Sequence, residues 1–244
     1  MMKSLLLATA AVATFAAAPA LAQDAAGSIG VQYSEADFGA PSNLETWSLD
    51  GVAAMPAFGD WTVTLAADVD NTEFFGDDET SASGSAGLSK MFGADTRFGG
   101  FVAAADVGDE TAWTGGFGVQ KYLSKATLTG GVAYTDVYDA DVWTVSGDAA
   151  FYVMPNLRLN AGLAYQSIDE ADIDAWTYGV GAEYDIGSTP FAVTAGFAKT
   201  DFDGGDIDTW SLGLRYTFGG DQQSRDRAGT AVNGLGIGSL ISIL

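Results

Sequence analysis

The stretch Trp210-Ser211-Leu212-Gly213-Leu214-Arg215-Tyr216-Thr217-Phe218 decides the fold. Read as a strand, it sends Trp210, Leu212, Leu214, Tyr216 and Phe218 to one face and Ser211, Gly213, Arg215 and Thr217 to the other. A helix of 3.6 residues per turn would scatter both sets around its surface, whereas a period of two separates them completely. One face suits hydrocarbon and the opposite face suits water.

The same alternation runs outward from this stretch along most of the chain. Trp176, Tyr178, Val180, Ala182, Tyr184 and Ile186 oppose Thr177, Gly179, Gly181, Glu183 and Asp185. Trp143, Val145, Gly147, Ala149, Phe151 and Val153 oppose Thr144, Ser146, Asp148, Ala150 and Tyr152. Extended to the remaining segments, the pattern predicts strands at 28–37, 45–55, 61–70, 80–90, 96–106, 111–122, 126–136, 142–154, 157–167, 175–186, 190–200 and 209–218. That even number suits a closed bacterial barrel, and each strand is long enough to cross a bilayer when tilted. Tryptophans 47, 113, 143, 176 and 210 lead alternate strands, with Ser81 in the remaining place, at spacings of 34, 32, 30, 33 and 34 residues. Solenoids and propellers also show fixed periods, but they do not need a polar face opposite an apolar one on every strand. A soluble β-sandwich would not place aromatic rings so regularly at strand ends. The predicted fold class is all-β: a transmembrane antiparallel up-and-down β-barrel of twelve strands.

Composition agrees. Mean hydropathy is slightly positive at +0.14 although the formal net charge is −22, from 32 acidic and 10 basic residues. A barrel with lipid outside and water inside combines those two values. Residues 1–22 read as a signal peptide: Lys3 near the start, an apolar stretch from Leu5 to Ala18, and a Pro19-Ala20-Leu21-Ala22 cleavage site. Beyond Ala22 no run of about 20 apolar residues exists, so no helical span is expected. The remaining division is a barrel over 23–219 and a tail over 220–244. Cysteine and histidine are both absent, which removes disulfides, the commonest general base and the commonest transition-metal ligand. Enzymes built on Ser-His or His-Asp pairs are thereby excluded. No enzymatic role and no cofactor is expected.

The connections fall into two kinds. Residues 55–60, 91–95, 154–156 and 187–190 are tight turns, and Lys90, Arg97, Lys121, Lys125 and Arg158 lie beside such turns. The others are acidic: Asp77-Asp78-Glu79, Asp109-Glu110, Asp139 to Asp141, Asp169 to Asp174, and Asp201 to Asp208. With the first strand running outward, the tight turns are periplasmic and the acidic loops extracellular. Trp47, Trp113, Trp143, Trp176 and Trp210 then form an outer membrane girdle, and Tyr122, Phe151, Tyr184, Tyr216 and Phe218 an inner one.

The alanine-rich signal, the hairpin pattern and the terminal strand 210–218 resemble the Gram-negative outer-membrane porin-like barrels of alphaproteobacterial type. The resemblance implies an outer-membrane location after signal cleavage. It also implies contact with outer-membrane lipid and lipopolysaccharide, and recognition of the last strand by the barrel-assembly machinery. Two departures stand out: 26 residues follow Phe218, and no loop is long enough to fold into the pore. An autotransporter translocator also has twelve strands, but the first strand begins too close to Gln23 to leave a passenger.

The inward face is mostly Gly, Ala, Ser and Thr, with Asp50, Asp68, Asp70, Gln120, Asp148, Arg158, Asn160, Gln166, Glu183 and Arg215 as candidate pore-lining residues. Carboxylates outnumber guanidiniums there, and such a lumen concentrates cations and repels anions. The expected function is passive diffusion of small hydrophilic solutes with a preference for cations; no nucleic-acid partner is expected. The alternative is a closed structural or adhesive barrel acting through its acidic loops, its lumen blocked by Arg158 and Arg215 paired with carboxylates. Asp201, Asp203, Asp206 and Asp208 form a weak calcium candidate that lacks the spacing and terminal glutamate of an EF-hand. For the tail, a periplasmic position is favoured over a lumen plug. On faces, Leu212 is expected to meet lipid, and Gly213 to accept serine readily.

Overall fold

The computed structural model describes residues 25–39, 43–74, 77–108, 110–137, 140–168 and 173–231. The signal segment, the loop acids Asp109, Asp139, Asp169, Glu170 and Asp172, and tail residues 232–244 lie outside the described residues. Twelve strands run β1 (Ala26–Asp37), β2 (Leu44–Pro56), β3 (Trp61–Phe74), β4 (Asp77–Phe92), β5 (Thr96–Val107), β6 (Glu110–Tyr122), β7 (Ala126–Val137), β8 (Ala140–Met154), β9 (Leu157–Ile168), β10 (Ile173–Asp185), β11 (Phe191–Phe202) and β12 (Gly205–Phe218), followed by a short helix α1 (Gln222–Ala228). Each strand pairs antiparallel with its chain neighbours, and β1 pairs with β12 from Gly27↔Phe218 to Asp37↔Asp208. The barrel is closed, so every strand has two partners and no ladder edge is left bare.

The alternation sorts the faces as the sequence pattern requires. Phe117, Val180, Leu212 and Val145 are exposed on the outside, at 71%, 60%, 56% and 53% of their surface. Such exposure of large apolar side chains would be untenable in water and is what a hydrocarbon surround accepts. Inside, threonines on adjacent strands bond to one another: Thr114 to Thr135 at 2.8 Å and Thr177 to Thr200 at 2.9 Å. Those side chains satisfy each other across the wall and leave the centre of the bore to other groups. No helix among the described residues is long and apolar enough to cross a membrane.

At one end the connections are tight, with Gly59, Gly93 and Gly187 at φ 58°, 70° and 57°, a left-handed region that a side chain would strain. β11 begins at Phe191 and not at Pro190, because proline has no N–H to give the ladder; its carbonyl still accepts from the Thr217 N–H at 2.7 Å. At the other end the strands run further than their acidic sequence suggested. Asp201 to Asp208 is not a loop. Asp201 pairs with Asp206, and the chain reverses at Asp203-Gly204, with Gly204 at φ 114°. Lys199 makes this possible by binding both Asp206 and Asp208, cancelling the repulsion that would otherwise open the hairpin.

Candidate functional site

The bore has two levels, distinguished by the size of the inward side chains. Towards the acidic end the wall is small: Ser34, Ala36, Thr46, Ser48, Ala198, Thr209 and Ser211 border a cavity of about 400 Å³. Asp50, Asp68 and Asp70 enter it from β2 and β3, while Asp148, Arg158, Asn160, Glu183 and Arg215 enter from β8, β9, β10 and β12. Asp68 accepts a hydrogen bond from the Ser83 hydroxyl at 2.5 Å. Arg215 reaches Asp50 at 3.0 Å across β1, which lies between their strands. Gly30 is the reason it can: a Cβ there would stand 2.6 Å from the Arg215 side chain. A side chain at position 30 would crowd the Arg215 stem and force it to shift.

Towards the tight-turn end the inward side chains are larger and the tail returns among them. Asp221 caps α1, its carboxylate accepting from the Ser224 N–H at 2.8 Å. The Ser224 hydroxyl and N–H together hold the Asp221 carboxyl below its ordinary range. Gln222, Arg225 and Asp226 are buried. Arg225 Nη2 donates to Glu183 Oε1 at 2.6 Å and to Asp185 Oδ1 at 3.2 Å, and Arg158 meets the other Glu183 oxygen at 3.3 Å. Asp226 accepts from the Tyr152 hydroxyl at 2.5 Å and from Gln120 Nε2 at 3.5 Å. At the helix C-terminus, Arg97 Nη2 donates to the Arg227 carbonyl and the Thr64 hydroxyl to the Gly229 carbonyl, both at 2.9 Å. A guanidinium and a hydroxyl thus meet carbonyls at and just beyond the negative end of the helix.

The described part of the tail, 220–231, is therefore not free of the barrel. The sequence favoured a periplasmic position; residues 222–228 instead form a helix inside the tight-turn end of the bore, because the wall there supplies the polar partners that a helix of seven residues cannot supply for itself.

No protein-family model matches the chain, and no curated protein matches it in sequence. Solved structures do resemble it. The KdgM porin superposes with a TM-score of 0.59 at 10% identity, over 78% of this chain and 99% of that one. The NanC porin gives 0.62 at 6% identity, over 78% and 100%. The translocator domain of autotransporter NalP from Neisseria meningitidis gives 0.52 at 12% identity, over 86% and 98%. The fold is that of the outer-membrane porin-like barrels. At these identities the likeness concerns architecture, and barrels with different work share it.

Within this porin-like barrel, parity places the remaining candidates. Gln120 and Gln166 also face inward and are buried, Gln120 against α1. The five strand-leading tryptophans face outward, 39–62% exposed, as do Phe151, Tyr184 and Tyr216. Tyr122 does not belong to the girdle. It is 6% exposed and bonds to Arg97 and Gln120 inside the bore, because it lies an odd number of residues from the outward Trp113 and Phe117. The girdle has members that sequence reading overlooked: Tyr33, Tyr134 and Tyr165 pack on Trp47, Trp143 and Trp176 with ring centroids 5.0–5.2 Å apart. Cross-strand register was the missing signal. The calcium candidate does not survive as a site: Lys199 occupies Asp206 and Asp208, and no group of three or more possible ligands gathers among the described residues.

Proposed function

We propose that the protein is an outer-membrane channel for passive diffusion of small hydrophilic solutes, with a preference for cations. The observation that carries this reading is the cavity itself. Twelve strands enclose more space than Gly, Ala, Ser and Thr can fill, and Asp50, Asp68 and Asp70 enter that space from one wall. Arg215 offsets Asp50, and Asp68 and Asp70 then form an acidic surface along the path. In a low-dielectric tube that surface raises the local cation concentration and lowers that of anions.

The porin-like barrel supports an outer-membrane location; in this reading the chain is exported, loses its 1–22 segment and is inserted through the last strand with its acidic end outward. The rim would meet lipopolysaccharide phosphates through bridging divalent ions. To test the channel, the chain ended after Gly219 is inserted into planar bilayers under a potassium chloride gradient. Conductance steps with a cation-selective reversal potential are expected. No steps, or an anion-selective potential, refute the reading. The alternative of a closed barrel draws on one observation, the helix across the tight-turn end.

A further inference from the structure

We propose that Arg225 and the helix that carries it form a gate, so that solutes cross only when α1 leaves its dock. This rests on the channel reading and adds its control. The main cavity ends on Gln222, Arg225 and Asp226. Beyond them lies a second hollow at the tight-turn end, bordered by Asn156, Asp185, Pro190, Thr217 and Gly220, together with Arg225. Among the described residues Arg225 is the side chain common to both walls. It borders both hollows, and the proposed gate sets it, with the helix behind it, between them.

The dock is built for this helix. Its partners come from opposite parts of the wall: Thr64 on β3, Arg97 on β5, Gln120 on β6, Tyr152 on β8 and Glu183 on β10. Gly229 closes the helix at φ 105°, and a Cβ there would come within 3.1 Å of the Arg97 guanidinium, so the C-terminal fit depends on glycine. Every one of these contacts is a hydrogen bond or an ion pair. Water can replace each of them when the helix withdraws, whereas an apolar plug would have to expose its core. A polar dock therefore holds the gate shut without making it permanent. It also fixes the charge at the gate. With α1 seated, Arg225 bridges Glu183 and Asp185; with it gone, Glu183 keeps Arg158, and Asp185 loses its guanidinium.

The experiment compares full-length protein, the chain ended after Gly219 and Arg225→Ala in planar bilayers. The shortened chain should conduct steadily. The full-length chain should be open a fraction of the time smaller by about tenfold or more, and Arg225→Ala should fall between them, with greater cation selectivity. Equal open fractions for the full and shortened chains overturn the gate and leave the channel standing. Silence from both removes the channel, and the gate with it. Should the shortened chain fail to fold, a tether on the full chain decides. Gln223 Nε2 donates to the Ser124 carbonyl at 3.0 Å, and the protein has no cysteine of its own. A Ser124→Cys, Gln223→Cys pair bridged by a short cleavable thiol reagent should be closed, and reduction should restore opening. Bridged protein that opens as often as reduced protein overturns the proposal.

Discussion

Leu212→Arg tests the face assignment on which all else depends. Leu212 lies in the middle of β12, in register with Tyr33 on one side and Ala195 on the other, and is 56% exposed on the outer surface. An arginine at the lipid midplane of a barrel costs ~2–4 kcal/mol, which is about a 30- to 700-fold loss in the folding equilibrium. Its neighbour Ser211 faces the cavity, with Ser34 and Gly196 beside it, so an arginine there meets water and small side chains. Ser211→Arg should stay within ~0.5 kcal/mol of the parent. The assay is reversible urea unfolding in lipid vesicles, followed by tryptophan fluorescence. Gly213 is a poorer control than its inward position suggested. A Cβ there would stand 2.5 Å from Thr194 Oγ1 and 3.2 Å from the Val31 carbonyl, so Gly213→Ser should cost ~1–3 kcal/mol for packing reasons unrelated to lipid. Equal costs for Leu212→Arg and Ser211→Arg would refute the assignment, because no depth-dependent lipid penalty could then separate two adjacent positions.

Three further outcomes follow from named contacts. Asp68→Asn with Asp70→Asn should lower the cation-to-anion permeability ratio of the chain ended after Gly219, read from its reversal potential, while leaving Asp50 paired with Arg215. Gly30→Ala should push the Arg215 side chain off Asp50; both side chains are about a quarter exposed, so the pair is worth ~1 kcal/mol or less, and a double-mutant cycle on Asp50 and Arg215 in urea should return that coupling only with Gly30 intact. Asp221→Ala removes the cap of α1 and should cost docking ~1 kcal/mol, a several-fold rise in open fraction. Because Asp221 titrates below its ordinary range when the helix is docked, its contribution is complete above that range and is lost as pH falls through the lowered value, so the difference between Asp221→Ala and parent open fractions should vanish in strong acid.

Local pattern carried the strand order and the faces because both depend on a two-residue period that each strand states for itself. The closing pair β1–β12 was legible for the same reason: both strands are one-sided and neither could end the sheet exposed. Tyr122 was misplaced by judging its depth without its parity. The hairpin at Asp203-Gly204 was hidden because an acidic run reads as solvated loop unless Lys199, on the opposite strand, is known to face it. The helix was the least legible element. Seven residues are too few to show a helical period or to hold a helix alone. Its partners lie far away in sequence: Thr64, Arg97 and Gln120 are 165, 130 and 106 residues from the groups they bind. Arg225-Asp226-Arg227 was visible as a charged triplet, but nothing local says that Glu183 and Tyr152 wait for it.

The separation between wall and helix is also energetic. Closure of the barrel is complete at Gly27↔Phe218, before the tail begins, and α1 adds no ladder hydrogen bond to any strand. Its attachments to Arg97 and Glu183 are side chain to side chain or side chain to backbone, made to groups of the barrel wall. The ladder is cooperative and shielded by lipid, so opening it costs far more than releasing a polar helix into water. The two elements therefore sit at opposite ends of the stability scale within one chain. A gate needs such a difference, since the part that moves must yield under conditions that leave the pore around it intact.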